Sequence, residues 1–213
     1  MLSKKKIMDA LGEMANLFPD AHGKLNARNP FELLIAVILS AQTTDVAVNK
    51  VTPVLFTAYS TPSSLAQADI EDVIEKIRAI GLYRNKAKNI IAASQMLFDE
   101  FNGEVPTSHS ELMKLPGVGR KTANVVLGDA FGIPGIAVDT HVERIAKRLQ
   151  IVKKDASVLE VEQALMKNIP KNLWVQAHHT MIFFGRYHCT AKKPKCANCP
   201  LLEMCAFRQK ESS

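Results

Sequence analysis

No cysteine occurs before residue 189, and no stretch of the chain is apolar for long enough to cross a bilayer. The longest strongly apolar run, Leu33 to Leu39, falls far short of the roughly 20 residues a membrane span needs. Asp9 follows Lys4, Lys5 and Lys6 too closely for a secretory signal, so the chain is read as cytosolic. Alternation of apolar and polar residues, the mark of a half-buried strand, is nowhere sustained. There is no internal repeat, no low-complexity tract and no Pro/Gly/Ser-rich linker. If two lobes exist, they share helices closely.

Acidic residues are absent from three segments: between Glu75 and Asp99, between Glu111 and Asp129, and between Glu162 and Glu203. Those gaps hold fourteen Lys and Arg residues of a chain whose net charge is +6. Any one gap alone reads as a solvated helix face. Three together, each beside a motif described below, favour a phosphate-binding surface.

What the chain does contain is helical periodicity. Hydrophobic residues make up 47% of the 213, enough for one good core or two small ones. Ile7, Leu11, Met14 and Leu17 share one helix face, as do Ile70, Val73, Ile74, Ile77 and Ile80. Asn29-Pro30, Asp45 and Ser108 with Glu111 mark helix starts; Gly81 and the Gly132 to Gly135 segment mark ends. About ten helices and an all-α fold are expected. From about residue 186 the periodicity stops, and Cys, Lys and Pro take over.

Cys189, Cys196, Cys199 and Cys205 are spaced C-x6-C-x2-C-x5-C. A disulfide framework is out of place in a cytosolic chain, and the C-x2-C step sets two thiolates within reach of one metal centre. The residues alone suit a structural zinc ion or a four-iron four-sulfur cluster equally. Lys192, Lys193 and Lys195 lie between the first two cysteines. A loop pinned at both ends by metal is well placed to present them to phosphates, against the plainer reading of a solubilising loop.

Leu115-Pro116-Gly117-Val118-Gly119 lies between two helical stretches. Glycines at alternate positions permit a tight turn whose amides can dock an anion at the next helix start, although turns of this composition are common. Lys121 falls in the first turn of that helix, next to Arg120. Helix dipole and neighbouring cation both disfavour the charged ammonium, so a partly neutral, nucleophilic amine is expected; phosphate pairing is the plainer alternative. Asp139, before the helical run from Val142 to Leu149, is expected to cap it, and a capping carboxylate remains able to stabilise positive charge on a sugar. His141 is read as structural.

Taken together, Leu115-Pro-Gly-Val-Gly-Arg-Lys121-Thr-Ala, Val138-Asp-Thr-His-Val142 and the four-cysteine tail resemble endonuclease III, within the helix-hairpin-helix glycosylase superfamily. The resemblance extends to Leu39-Ser-Ala-Gln-Thr-Thr-Asp45 and Gly81-Leu82-Tyr83-Arg84-Asn85-Lys86-Ala87, and so covers nearly the whole chain. It implies a two-lobed fold: a six-helix barrel over 23–133 containing the hairpin motif at about 108–131, and a lobe from 1–22 and 134–213 containing the loop 189–205. DNA is then expected in the cleft between lobes. It implies a four-iron four-sulfur cluster on the cysteines, and a monovalent cation at the hairpin carbonyls. Gly117 and Gly119 would hold a backbone phosphate, Gln42 would fill the space of an extruded nucleotide, and Leu82 would wedge the duplex. Read from their own residues, Gln42 is a helix-terminal polar group and Leu82 a loop contact. The activity implied is that of a monomeric bacterial base-excision-repair enzyme, a glycosylase and lyase acting on oxidised pyrimidines and abasic sites in double-stranded DNA, through Lys121 and Asp139.

Four rivals compete with that reading. An adenine-mismatch or thymine-mismatch glycosylase lacks a lysine at the position of Lys121, and the former carries a further C-terminal domain where this sequence stops at Ser213. A non-catalytic DNA-binding module has no use for Lys121 paired with Asp139. An electron-transfer protein leaves the hairpin, Gln42 and Leu82 without purpose.

Overall fold

The computed structural model describes residues 1–207 and contains, among them, eleven α-helices and no strand. The chain divides into two compact units, Lys24–Ile133 and the pair of segments Met1–Gly23 and Pro134–Ser213.

In the first unit, α2 (Pro30–Leu39) is apolar all round and almost wholly buried, as a helix packed on every side must be. Asn29 caps it by accepting from the Glu32 N–H, and Pro30 takes the first helical position, where no N–H is needed. Around it lie α3 (Asp45–Ala58), α4 (Pro62–Ala66), α5 (Ile70–Ile77), α6 (Tyr83–Glu100), α7 (His109–Leu112) and α8 (Arg120–Phe131). α2 packs on α8, α3 and α6, while α6 covers α4 and α5. Leu34, Ile35, Leu39, Leu55, Ile77, Ile90 and Leu97 form a sealed interior, each worth about 1.5–3 kcal/mol relative to exposure.

Three expected boundaries shift. The cap before α3 is Thr44, one residue before Asp45, which opens the helix. Ser108 precedes α7 but makes no cap bond with its side chain; the helix is four residues long, and the Ser108 hydroxyl pairs with Ser110 instead of completing a box with Glu111. Gly81 does not end α5, which stops at Ile77, because the turn that follows is made by Leu82. Gly132 does end α8, in the left-handed conformation with φ 65°.

The second unit joins both ends of the chain. Here α1 (Lys4–Leu17) buries Ile7, Ala10 and Met14 and packs on α10 (Val158–Asn168) and α11 (Trp174–Tyr187), leaving Leu17 exposed. α9 (Thr140–Arg148) lies against α11 so closely that a Cβ on Gly185 would come within 2.7 Å of the His141 Cβ. Past α11 the chain forms two short 3-10 turns, Cys196–Asn198 and Leu202–Met204. Among the described residues no helix is long and apolar enough to cross a membrane.

Candidate active site and cysteine loop

The turn between α7 and α8 is built by sequence-local bonds: Val118 N–H to the Leu115 carbonyl at 3.0 Å and Ala123 N–H to the Gly119 carbonyl at 3.0 Å. Gly117 adopts φ 81°, and a Cβ there would meet Ile38 Cγ2 at 3.0 Å and Asn89 Cβ at 3.1 Å. Glycine is thus required twice over at 117, by conformation and by the approach of α2 and α6. Gly119 differs. Its extended φ of −97° suits any residue, and a Cβ would project into open space. No side chain caps α8, and backbone amides at such a helix start can receive an anion. Lys121, second residue of α8, is exposed beside them.

Gln42 and Leu82, both exposed, occupy the left-handed region at φ 54° and 58°. For residues other than glycine, such a conformation costs on the order of 1–3 kcal/mol and persists only where neighbouring structure over-determines it. The two turns are linked through Lys86 on α6, which is 4% exposed and donates from Nζ to Thr43 Oγ1 at 2.6 Å. Burial pushes the Lys86 ammonium below its ordinary pKa. Lys86 was not singled out from the sequence, where a lysine reads as surface; its one signal is its place a turn after Leu82, next to the buried Ala87.

Asp139 caps α9 as expected, but α9 starts two residues earlier than the apolar pattern indicates. One oxygen, Oδ1, accepts both cap bonds, from the N–H groups of His141 at 2.8 Å and Val142 at 2.9 Å. Among the described residues Oδ2 has no hydrogen-bond partner, so capping and chemistry can use different oxygens of one carboxylate. His141 engages Arg144 through Nδ1 at 3.1 Å, and burial lowers its pKa, outweighing the nearby Asp139 charge that raises it.

The other end of α9 holds the cysteine loop. Arg144 donates to the carbonyls of Gly185 at 2.8 Å and Cys189 at 3.1 Å. Arg148 donates to the Thr190 carbonyl at 2.8 Å, the Ala191 carbonyl at 3.0 Å and Cys189 Sγ at 3.1 Å. These arginines, four apart on one helix, escaped the sequence reading because basic residues ending a helix pass for a solvated face.

None of the four cysteines is in a disulfide, and all are half-buried and line one cavity with Ile145, Leu149, Phe184 and Leu201. Burial pushes the Cys199 thiol up; a Leu201 backbone bond opposes this, and the Cys189, Cys205 and Cys196 sulfurs reinforce it. Four sulfurs gathered in one apolar hollow with Arg148 at its edge fit a cationic metal centre. Lys192, Lys193 and Lys195 stand exposed on the same loop, where the Lys195 N–H bonds the His188 carbonyl at 3.0 Å.

Residues 35–171 match the family model of HhH-GPD superfamily base excision DNA repair proteins, and residues 189–205 match the iron-sulfur binding domain of endonuclease III. The chain is 54% identical over 210 residues to endonuclease III of Bacillus subtilis, covering 99% of this chain and 96% of that one. It is 45% identical over 209 residues to endonuclease III of Escherichia coli, covering 98% and 99%. A solved structure of an endonuclease III trapped as a covalent intermediate with DNA superposes with a TM-score of 0.96 at 60% identity, covering all of both chains. The chain therefore belongs to the endonuclease III family. It is a DNA glycosylase and lyase of abasic sites, and it carries a four-iron four-sulfur cluster.

Proposed function

We infer that the chain removes oxidised pyrimidines from double-stranded DNA and cuts the strand on the 3′ side of the resulting abasic site, with Lys121 as nucleophile and Asp139 as the assisting carboxylate. A base inside the stack is out of reach, so the nucleotide must leave the helix, at a cost of a few kcal/mol. Pyrimidines saturated at the 5,6 bond lose planarity and stack poorly, which lowers that cost. Gln42 then occupies the vacated space and Leu82 separates the neighbouring bases. Both sit at exposed tips whose strained backbone aims them outward. The amides of Gly117 and Gly119 hold a backbone phosphate, and Lys192, Lys193 and Lys195 add sequence-independent affinity.

The Lys121 Nζ lone pair attacks the anomeric carbon, and the bond to the base breaks as the base departs with the electron pair. Asp139 Oδ2 faces the positive charge that develops on the sugar, while Oδ1 stays committed to the helix cap. The amine adduct opens to an iminium, which acidifies the adjacent sugar carbon; loss of that proton expels the 3′ phosphate. Bonds from Cys189, Cys196, Cys199 and Cys205 to the iron of the bound cluster close the loop that presents the three lysines. The work is done by a single chain in the bacterial cytosol, at the nucleoid, a reading that the bacterial relatives and a chromosomal substrate support.

The observation that carries the assignment is an exposed lysine at the start of α8, immediately behind a turn in which Gly117 is fixed as glycine by its φ of 81° and by contact with Ile38 and Asn89. Borohydride added during reaction with a thymine glycol duplex tests it. The expected result is a covalent protein–DNA product mapping to Lys121. Base release with no trapped product would instead make the enzyme a monofunctional glycosylase.

A further inference from the structure

The turn bearing Gln42 and the turn bearing Leu82 come from separate parts of the chain, and one side chain joins them. The Lys86 N–H closes the first turn of α6 on the Leu82 carbonyl at 3.0 Å. Its Nζ reaches Thr43 Oγ1 at 2.6 Å, and the Thr43 hydroxyl donates onward to the Ala41 carbonyl at 3.4 Å. The chain of bonds therefore runs from Leu82 to both neighbours of Gln42. No carboxylate pairs with the ammonium among the described residues, and burial lowers its pKa. An ammonium taken from water and given one neutral acceptor contributes poorly to stability. What it does contribute is a fixed distance between two strained, exposed tips.

We propose that Lys86 is a positioning residue for base extrusion, holding Gln42 and Leu82 at the spacing at which both enter the duplex together. The proposal rests on the assignment of those two residues as duplex-entering groups. Lys86, being buried, acts through them. Its effect falls on the opening of the duplex and leaves the chemistry of Lys121 alone.

Single-turnover cleavage by the full-length, cluster-loaded enzyme on two substrates separates these steps: a duplex with thymine glycol, and a single strand with an abasic site, where nothing has to be extruded. Lys86→Met should slow the duplex reaction about tenfold or more, as expected when a displaced group no longer meets its target, and leave the single-strand reaction within about twofold. Thr43→Val, which keeps the buried lysine, should reproduce the selective loss; Thr43→Ser should restore it; and Lys86→Met with Thr43→Val should be no slower than either alone. Gln42→Ala and Leu82→Ala are the standards. If they fail to distinguish the substrates, their assignment is wrong and the proposal falls with it. If they do distinguish them while Lys86→Met and Thr43→Val slow both substrates equally, or neither, the proposal alone is overturned.

Discussion

The unit of residues 24–133 and the unit formed by residues 1–23 and 134–207 are held together by different means. The first is continuous in sequence, and its cohesion comes from a large apolar interior around α2. The second draws its core from both ends of the chain, and its last twenty described residues contribute little to it beyond Leu201, Met204 and three of the cysteines, Cys189, Cys199 and Cys205. Two arginines of α9 hold that loop through its backbone carbonyls. Apolar burial can shape a helical scaffold, but a loop without helix must take its shape from directional bonds. The groups proposed above divide accordingly: the proposed nucleophile Lys121 stands with Gln42 and Leu82 on the first unit, and Lys192, Lys193 and Lys195 on the second.

The largest expected effect tests that division at Lys121. Lys121→Gln should lower strand cleavage on the order of 10⁴-fold or more, with thermal stability, cluster absorbance and DNA affinity close to those of the parent protein. Residual nicking at parental speed would move the nucleophile elsewhere. Next comes Asp139, the one reacting group placed on the second unit. Asn caps a helix as well as Asp does, so Asp139→Asn should keep the melting temperature while lowering base release on the order of 10²-fold or more. Asp139→Ala should add a loss of about 1 kcal/mol in stability. If Asp139→Asn cleaves normally, the chemistry belongs to residues 24–133 alone.

Cys199→Ser probes the loop instead. Hydrogen exchange should accelerate at the amides of 189–205, the visible absorbance of the cluster should fall, and DNA should bind at least about tenfold more weakly. Amides of Leu34, Ile35 and Ile90 should keep their protection. A loss of protection spreading through both units would mean that the cluster supports the whole chain. Replacing Lys192, Lys193 and Lys195 by Ala leaves the loop closed and removes only charge. The slope of log K against log salt should then shrink by up to about 2.7, near 0.9 per phosphate contact, with the rate from the bound complex unchanged.

How far the sequence could be read follows from the same contrast. The stripe Ile7 and Met14, the Asn29-Pro30 start, the Gly132 stop and the Asp139 cap were all legible, because each depends on neighbours within one helical turn. The Ser108 and Glu111 pattern misled: a capping box needs a helix to cap, and α7 ends after four residues. Gly81 misled for a related reason, since Leu82 takes the left-handed conformation that residue statistics reserve for Gly and Asn. For the site, the cysteine spacing was legible as a metal motif, yet iron or zinc stayed open until the whole pattern was compared with a family. Gln42 and Leu82 entered only through that resemblance. Lys86, Arg144 and Arg148 were invisible, because their roles depend on partners from 41 to 45 residues away.

The smallest expected effect concerns stability at Lys86. Its folded pKa is lowered below the ordinary lysine value of 10.5, and burial is the cause. Between the lowered folded value and 10.5, the unfolded chain holds more protons than the folded one, so stability rises with pH across that window. Below it, the cost of keeping the ammonium buried is present in full. Lys86→Met removes that cost. The variant should therefore melt no lower than the parent at neutral pH, and any advantage should shrink as pH climbs toward 10.5, measured by urea unfolding at a series of pH values. A variant less stable than the parent, by the same amount at every pH, would show that the Thr43 bond outweighs desolvation. In that case Lys86 would hold the first unit together in addition to spacing its two tips, and the contrast between an apolar unit and a bonded one would be less sharp.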